Sequence, residues 1–183
     1  MLTAAGPGWL RARVLKTQPV EREPEAEITL YLALLKGEKL AEVVRMGTEL
    51  GVSEFVLVVT RHAVAKEIGE KKLARLRRIA IEAAKQSGRT RVPEVKGPIP
   101  LKEIPAVEQG LVAHPGTGRL VAEVYDPSRP VALAVGPEGG FSEEEVALLT
   151  ARGFVPVTLG RRILKAETAA CTLVALVTAA YGR

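Results

Sequence analysis

From Ile28 onward the chain alternates short apolar runs with stretches in which apolar residues recur at helical spacing, and few architectures accept that alternation. Parallel strands need a crossover between them, usually a helix, so such a pattern predicts an α/β fold: a mostly parallel sheet with helices on both faces. ITLYLALL, from Ile28, is the first strand. Leu40, Val43, Val44, Gly47 and Leu50 then repeat as one face of a helix that Gly51 ends, and Phe55 to Val59 supplies the next strand. Leu73, Leu76, Ala80 and Ala83 form the apolar stripe of a second helix, which stops at Gly88. Val92 to Val95, Gly110 to His114 and Val131 to Val135 are short strand candidates, the last continuously apolar as in a strand buried on both faces. Ser142 and Glu145 have the spacing of a capping box, Gly153 closes that helix, and Phe154 to Leu159 forms a further strand. A last helix, Ala169 to Tyr181, is apolar almost all round and is expected to be buried.

Residues 1–27 break the pattern. Trp9 to Leu15 alternates like a strand and runs into the charged, proline-punctuated QPVEREPEAE, which is expected to be a linker. At 183 residues and 47% hydrophobic, the chain has material for one well-buried domain. Its longest apolar strand runs fall far short of the roughly 20 residues of a membrane span. The absence of a secretory h-region and the single cysteine, Cys171, fit a cytoplasmic protein without a disulfide framework. His62 and His114 are too few for a metal centre, so no metal is expected.

Charge narrows the partners. Between Lys71 and Arg91 stand eight bases, Lys71, Lys72, Arg75, Arg77, Arg78, Lys85, Arg89 and Arg91, against Glu82 as the one acid. A one-signed excess suits a polyanion better than a self-compensating surface does. With aromatic residues at 4%, nucleic acid would be held mainly by charge and little by stacking. Lys72, Arg75, Arg78, Lys85, Arg89 and Arg91 are the candidate RNA contacts.

Two glycine-containing loops follow strands. GPEGGFSEEE, from Gly136, lacks the Gly-Lys-Ser/Thr of a phosphate-binding loop and the spacing of the dinucleotide fingerprint, which argues against nucleoside triphosphate chemistry. It does offer glycines that let a ligand approach the backbone at the carboxyl end of a strand. LGRRILKAETA, from Leu159, is placed in the same way, so that the two loops can wall one crevice.

Four linked segments, Lys36-Gly37 through Thr48-Glu49-Leu50-Gly51-Val52, Glu82 to Arg89 with Val92-Pro93, GPEGGFSEEE and LGRRILKAETA, resemble in order and spacing the RsmE family of small-subunit ribosomal RNA methyltransferases. The resemblance covers Ile28 to Ala180. It implies a SPOUT methyltransferase domain at 28–183 with a C-terminal trefoil knot, preceded at 1–27 by the last strand and linker of a PUA-like RNA-binding domain. It further implies S-adenosylmethionine as cofactor, a homodimer, and methylation of a uridine N3 in 16S ribosomal RNA. Carried over by position, Gly136, Pro137, Glu138, Gly139 and Gly140 form one wall of the cofactor site. Leu159, Gly160, Ile163, Leu164, Glu167, Thr168 and Ala169 form another, with Leu111, Val112, Ala113 and His114 beside them. Gln86, Ser87 and Arg89 fall at the target base, where Arg89 would stabilise the developing anion and Glu82 or Glu138 would serve as base. The sequence departs from the family at Lys165, where arginine is usual, and at Met46, where lysine is common. Two other readings remain: a non-catalytic RNA-binding or assembly module, and a ribose 2′-O-methyltransferase of the same superfamily.

Overall fold

The structure, a computed structural model, describes residues 1–17, 22–116 and 119–179. Six strands form one sheet: β3 (Ile28–Ala33), β4 (Glu54–Val59), β5 (Glu94–Pro100), β6 (Gly110–Ala113), β7 (Val131–Val135) and β8 (Phe154–Val157). Every neighbouring pair is parallel, in the order β5-β4-β3-β7-β6-β8. The chain steps outward from β3 to β5, then restarts on the other side of β3, so the strand order reverses beside β7. In open α/β sheets, ligands bind at the carboxyl ends of the strands near such a reversal.

Strand alternation divides the core in two. Leu30, Leu32, Phe55, Leu57 and Leu133 face α1 (Lys39–Glu49), α2 (Glu70–Ser87) and α5 (Ala166–Ala179), whose buried residues include Val43, Val44, Leu73, Leu76, Leu173 and Val174. Tyr31, Val56, Val58, Ala132 and Ala134 face the opposite side, where Leu149 of α4 (Glu143–Thr150), Phe154 and Ile104 cover them. Helices therefore lie on both faces, and all five residues of β7 are buried, as a central strand requires. Each fully buried Leu or Phe contributes about 1.5–3 kcal/mol relative to exposure. A short helix α3 (Val121–Val124) leads into β7.

Local signals act as the sequence says. Ser142 Oγ accepts from the Glu145 backbone while the Glu145 carboxylate accepts from the Ser142 N–H, closing the box that starts α4. Gly88 ends α2 at φ +70, a left-handed conformation that glycine adopts without strain.

Three expectations change. The N-terminal strand stops at Ala12, short of Leu15, and has a partner: β1 (Leu2–Gly6) pairs antiparallel with β2 (Trp9–Ala12) in a separate hairpin, and Trp9 and Leu10 stay exposed. β5 begins at Glu94, leaving Val92 outside the sheet and exposed, and runs on to Pro100. The last helix is only half buried: Ala166, Ala170, Leu173, Val174 and Val177 pack inward, whereas Leu176 is 46% exposed, because a helix crossing a single sheet buries one stripe whatever its composition. The expected end of that helix, at Tyr181, lies outside the described residues.

Candidate functional site

Three loops leave the carboxyl edge of the sheet side by side, after β6, β7 and β8, and enclose a cavity of about 480 Å³. That volume falls within the range of small-molecule sites, roughly 300–1,000 Å³. His114 and Pro115 border it from β6, Gly136 to Gly140 from β7, and Thr158 to Gly160 with Arg162 to Lys165 from β8. Ala166 and Ala169 of α5 and Lys39 of α1 complete the lining.

The glycines explain how the turn after β7 folds so tightly. A side chain on Gly136 would stand 3.0 Å from the Phe141 nitrogen and 3.1 Å from the Gly140 carbonyl carbon, so that the backbone of the turn would have to give way by a few tenths of an ångström. Gly140 and Gly160 hold φ of +69 and +112, and no atom stands within 4 Å where their side chains would project. Backbone bordering open space at both loops is what a closely approached ligand needs. The turn is braced from outside: His62 Nδ1 lies 3.2 Å from the carbonyl oxygens of Gly139 and Gly140, and the Arg61 N–H donates to Glu145.

Lys39, the first residue of α1, reaches into the cavity wall. Its Nζ is 2.8 Å from Glu138 Oε1 and 3.7 Å from Glu167 Oε2. Burial acts to raise the Glu138 pKa, but the Lys39 ammonium and the N–H groups of Glu138 and Lys36 outweigh it and hold the carboxyl below its ordinary range. The hydrogen bond to Glu138 in turn holds the Lys39 pKa above its usual value.

Of the residues expected to bind a cofactor, His114, Gly136 to Gly140, Leu159, Gly160, Ile163, Leu164 and Ala169 line the cavity. Leu111 does not. It is buried within β6 as part of the core, as is Val112. Glu167 and Thr168 sit on the first turn of α5 outside the lining, Glu167 turned toward Lys39 and Thr168 exposed. Lys39 was missed, although a signal existed. A cation in the first turn of a helix opposes the helix dipole, so its presence calls for another reason.

Gln86 and Arg89 are not in the cavity lining. The Arg89 side chain is 3% exposed and makes four hydrogen bonds. Its Nε and Nη2 donate to Glu23 Oε2 at 3.0 and 2.6 Å, and its Nη1 donates to the carbonyls of Thr48 and Val52 at 2.9 and 2.7 Å. Glu23 Oε1 accepts from the N–H groups of Thr90 and Arg91. Burial opposes ionisation of Glu23, but the Arg89 guanidinium and those N–H groups prevail and bring its pKa to about 2. Arg89 thus ties residue 23 to the end of α1 and the end of α2.

The basic run is also less one-signed in space than in sequence. Arg75 forms a bidentate pair with Glu38, Arg91 pairs with Glu27, Lys85 with Glu82, and Lys72 donates to the Gly37 carbonyl. Two of these three acids, Glu27 and Glu38, come from segments distant in sequence. Arg78 and Lys71 are exposed and have no ion pair among the described residues. Cys171 is held above its ordinary pKa, chiefly by burial, and behaves as a packing residue. Among the described residues no helix is long and apolar enough to cross a membrane, and no group of three His, Cys, Asp or Glu side chains is placed to hold a metal.

Residues 21–178 match the RNA methyltransferase domain family. The chain is 36% identical, over 92% of its length, to ribosomal RNA small subunit methyltransferase E of Synechocystis, of which it spans 58%. Among solved structures it resembles ribosomal RNA small subunit methyltransferase E from Neisseria gonorrhoeae bound to S-adenosylmethionine, with a TM-score of 0.89 and 29% identity over 98% of this chain and 77% of that one. It also resembles a putative methyltransferase from Legionella pneumophila in complex with the same cofactor, with a TM-score of 0.80 and 35% identity over 88% of this chain and 69% of that one.

Proposed function

Because the chain belongs to the RNA methyltransferase family that includes ribosomal RNA small subunit methyltransferase E, we propose that it transfers a methyl group from S-adenosylmethionine to N3 of a uridine in small-subunit ribosomal RNA, acting as a homodimer in the cytoplasm. The observation that carries this reading is the cavity. Two glycine loops border it with backbone, apolar side chains of Leu159, Leu164 and Ala169 offer a surface for a purine face, and two relatives of the same fold were solved with that cofactor.

The cofactor, when bound, supplies an electrophilic methyl group. The loops after β7 and β8 hold it against the carboxyl edge of the sheet, and much of the catalysis is positioning, with the uracil nitrogen in line with the methyl carbon. Uracil N3 must lose its proton. Glu138 is the carboxylate in the cavity lining, whereas Glu82 stands exposed on α2 beside Lys85. Glu138 is therefore the carboxylate placed to accept from N3–H at that edge, and the Lys39 ammonium, which holds its pKa down, has to move off it before it can take the proton. Arg89 enters as a strut. To stabilise an anion on the base its guanidinium would have to give up four hydrogen bonds.

The half-exposed outer stripe of α5, with Leu176, supports the dimer, since an apolar helix face of this kind is covered by a second copy in symmetric pairs. Arg78, Lys71, and Arg162 and Lys165 in the cavity lining are among the exposed bases that could meet RNA phosphates. Residues 1–27 as part of an RNA-binding domain and the trefoil threading of 28–183 belong to the same reading. The threading rests on the likeness to relatives of the same fold.

Calorimetric titration with S-adenosylmethionine, followed by nucleoside mass spectrometry of small-subunit ribosomal RNA incubated with protein and cofactor, tests the proposal. Stoichiometric binding and 3-methyluridine are expected. Absence of cofactor binding, or a methyl group on the ribose, would overturn it.

A further inference from the structure

Lys39, in the cavity wall, stands between two carboxylates, Glu138 in the lining and Glu167 just behind it on α5. Lys39 Nζ gives its short contact, 2.8 Å, to Glu138 and stands 3.7 Å from Glu167 Oε2, beyond hydrogen-bond reach. That Glu167 oxygen is screened from water and has no hydrogen-bond partner. A buried carboxylate oxygen without a partner is costly, and the cost falls when a positive charge is brought near. The other bases of the lining do not supply it, since Arg162 and Lys165 are exposed on the loop after β8, where water screens them. Counted as formal charges the three groups carry one negative charge in excess, and the Glu167 oxygen without a hydrogen-bond partner is the one shielded from water.

We propose that the Glu138–Lys39–Glu167 cluster selects its ligand by charge, so that the pocket holds a cationic sulfonium more tightly than the neutral thioether left after methyl transfer. The inference rests on the cofactor reading above and adds to it a means of turnover: when the methyl group leaves, the ligand loses the charge for which the wall is short, and the product is released more readily than the substrate. At the effective dielectric near 20 of groups close to a protein surface, one excess charge beside a charged ligand is worth roughly an order of magnitude in affinity, so a single carboxylate is sufficient for the effect.

The test is a set of calorimetric titrations on the whole chain at low salt, using S-adenosylmethionine, S-adenosylhomocysteine, and the analogue that carries a protonated amine in place of the sulfonium. Wild type should bind both cationic ligands at least about fivefold more tightly than the thioether. Glu167→Gln, which keeps the shape and removes the charge, should bring the three affinities to within about twofold of one another. Lys39→Met removes the only cation of the cluster and should widen the preference instead. Circular dichroism melts establish that each variant is folded, and a variant that does not fold is replaced by Glu167→Met or Lys39→Gln. If wild type binds none of the three ligands, the cofactor reading itself fails. If wild type binds them but the cation preference is absent, or is unchanged in both variants, the cofactor reading stands and the charge selection is wrong.

Discussion

The Arg89 junction and the cavity beside Lys39 are both built from cations and carboxylates, and they differ in how far their polar groups are satisfied. At the junction every contact is short: Arg89 spends four hydrogen bonds on Glu23, Thr48 and Val52, and Glu23 takes further bonds from Thr90 and Arg91. At the cavity one ammonium serves two carboxylates, one oxygen lacks a hydrogen-bond partner, and the backbone of Gly140 and Gly160 borders open space. On the proposed reading, saturation marks a joint and deficit marks a binding site. A guanidinium at a motif position is therefore not by itself evidence of catalysis, because the same residue type can close a network or await a ligand.

The contrast can be broken most sharply at the junction. Arg89→Ala removes a buried side chain and its four hydrogen bonds, and because water reaches Glu23, which keeps its bonds from Thr90 and Arg91, the cost is on the order of 2–3 kcal/mol. Urea unfolding should show that cost, while the folded protein keeps its affinity for S-adenosylmethionine. Weakened cofactor binding with unchanged stability would place Arg89 in the site after all. The converse experiment is Ala169→Leu, which fills part of the cavity from α5. Cofactor affinity should fall tenfold or more by titration, with stability altered by less than about 1.5 kcal/mol.

Acid gives a smaller effect. The Glu23 pKa is lowered from 4.5 to about 2 in the folded chain. Its contribution is thus complete above the unfolded value and is lost as pH falls from about 4.5 through 2. With water reaching the outer side of the carboxylate, that contribution is on the order of 1–2 kcal/mol. Glu23→Gln should remove this part of the acid dependence in urea titrations at about pH 7 and about pH 3, on either side of the usual carboxylate range, and identical pH curves for variant and wild type would show that the junction is not ionic. The smallest effect concerns RNA. Replacing Lys71 and Arg78 by alanine should flatten the log–log salt dependence of binding by roughly one unit for each phosphate those bases neutralise, whereas Arg75→Ala, whose partner is Glu38, should change it less. Equal slopes for all three variants would mean that the ion pair with Glu38 does not withhold Arg75 from the polyanion.

How much of this was legible in the sequence follows the same division. Local physics was readable: Val131–Val135 appears as a strand with the expected bounds, Ser142 and Glu145 close their capping box, and Gly88 ends its helix in the left-handed conformation. The two glycine loops were also readable as walls of one crevice, because glycine after a buried strand is a local statement. Partners distant in sequence were not. Nothing within 71–91 announces that Arg75 meets Glu38 or that Arg91 meets Glu27, so the run reads as a one-signed surface. Arg89 reads as available because Glu23 lies 66 residues away. The last helix reads as wholly buried because composition counts apolar residues without saying how many faces a neighbour covers.

Hydrogen exchange followed by mass spectrometry, with and without saturating S-adenosylmethionine, tests the division between joint and site most directly. The cofactor should protect the loops spanning 136–142 and 158–169 and leave exchange at 22–27 and 84–91 unchanged. Protection at the Arg89 junction without protection at the two loops would contradict the account.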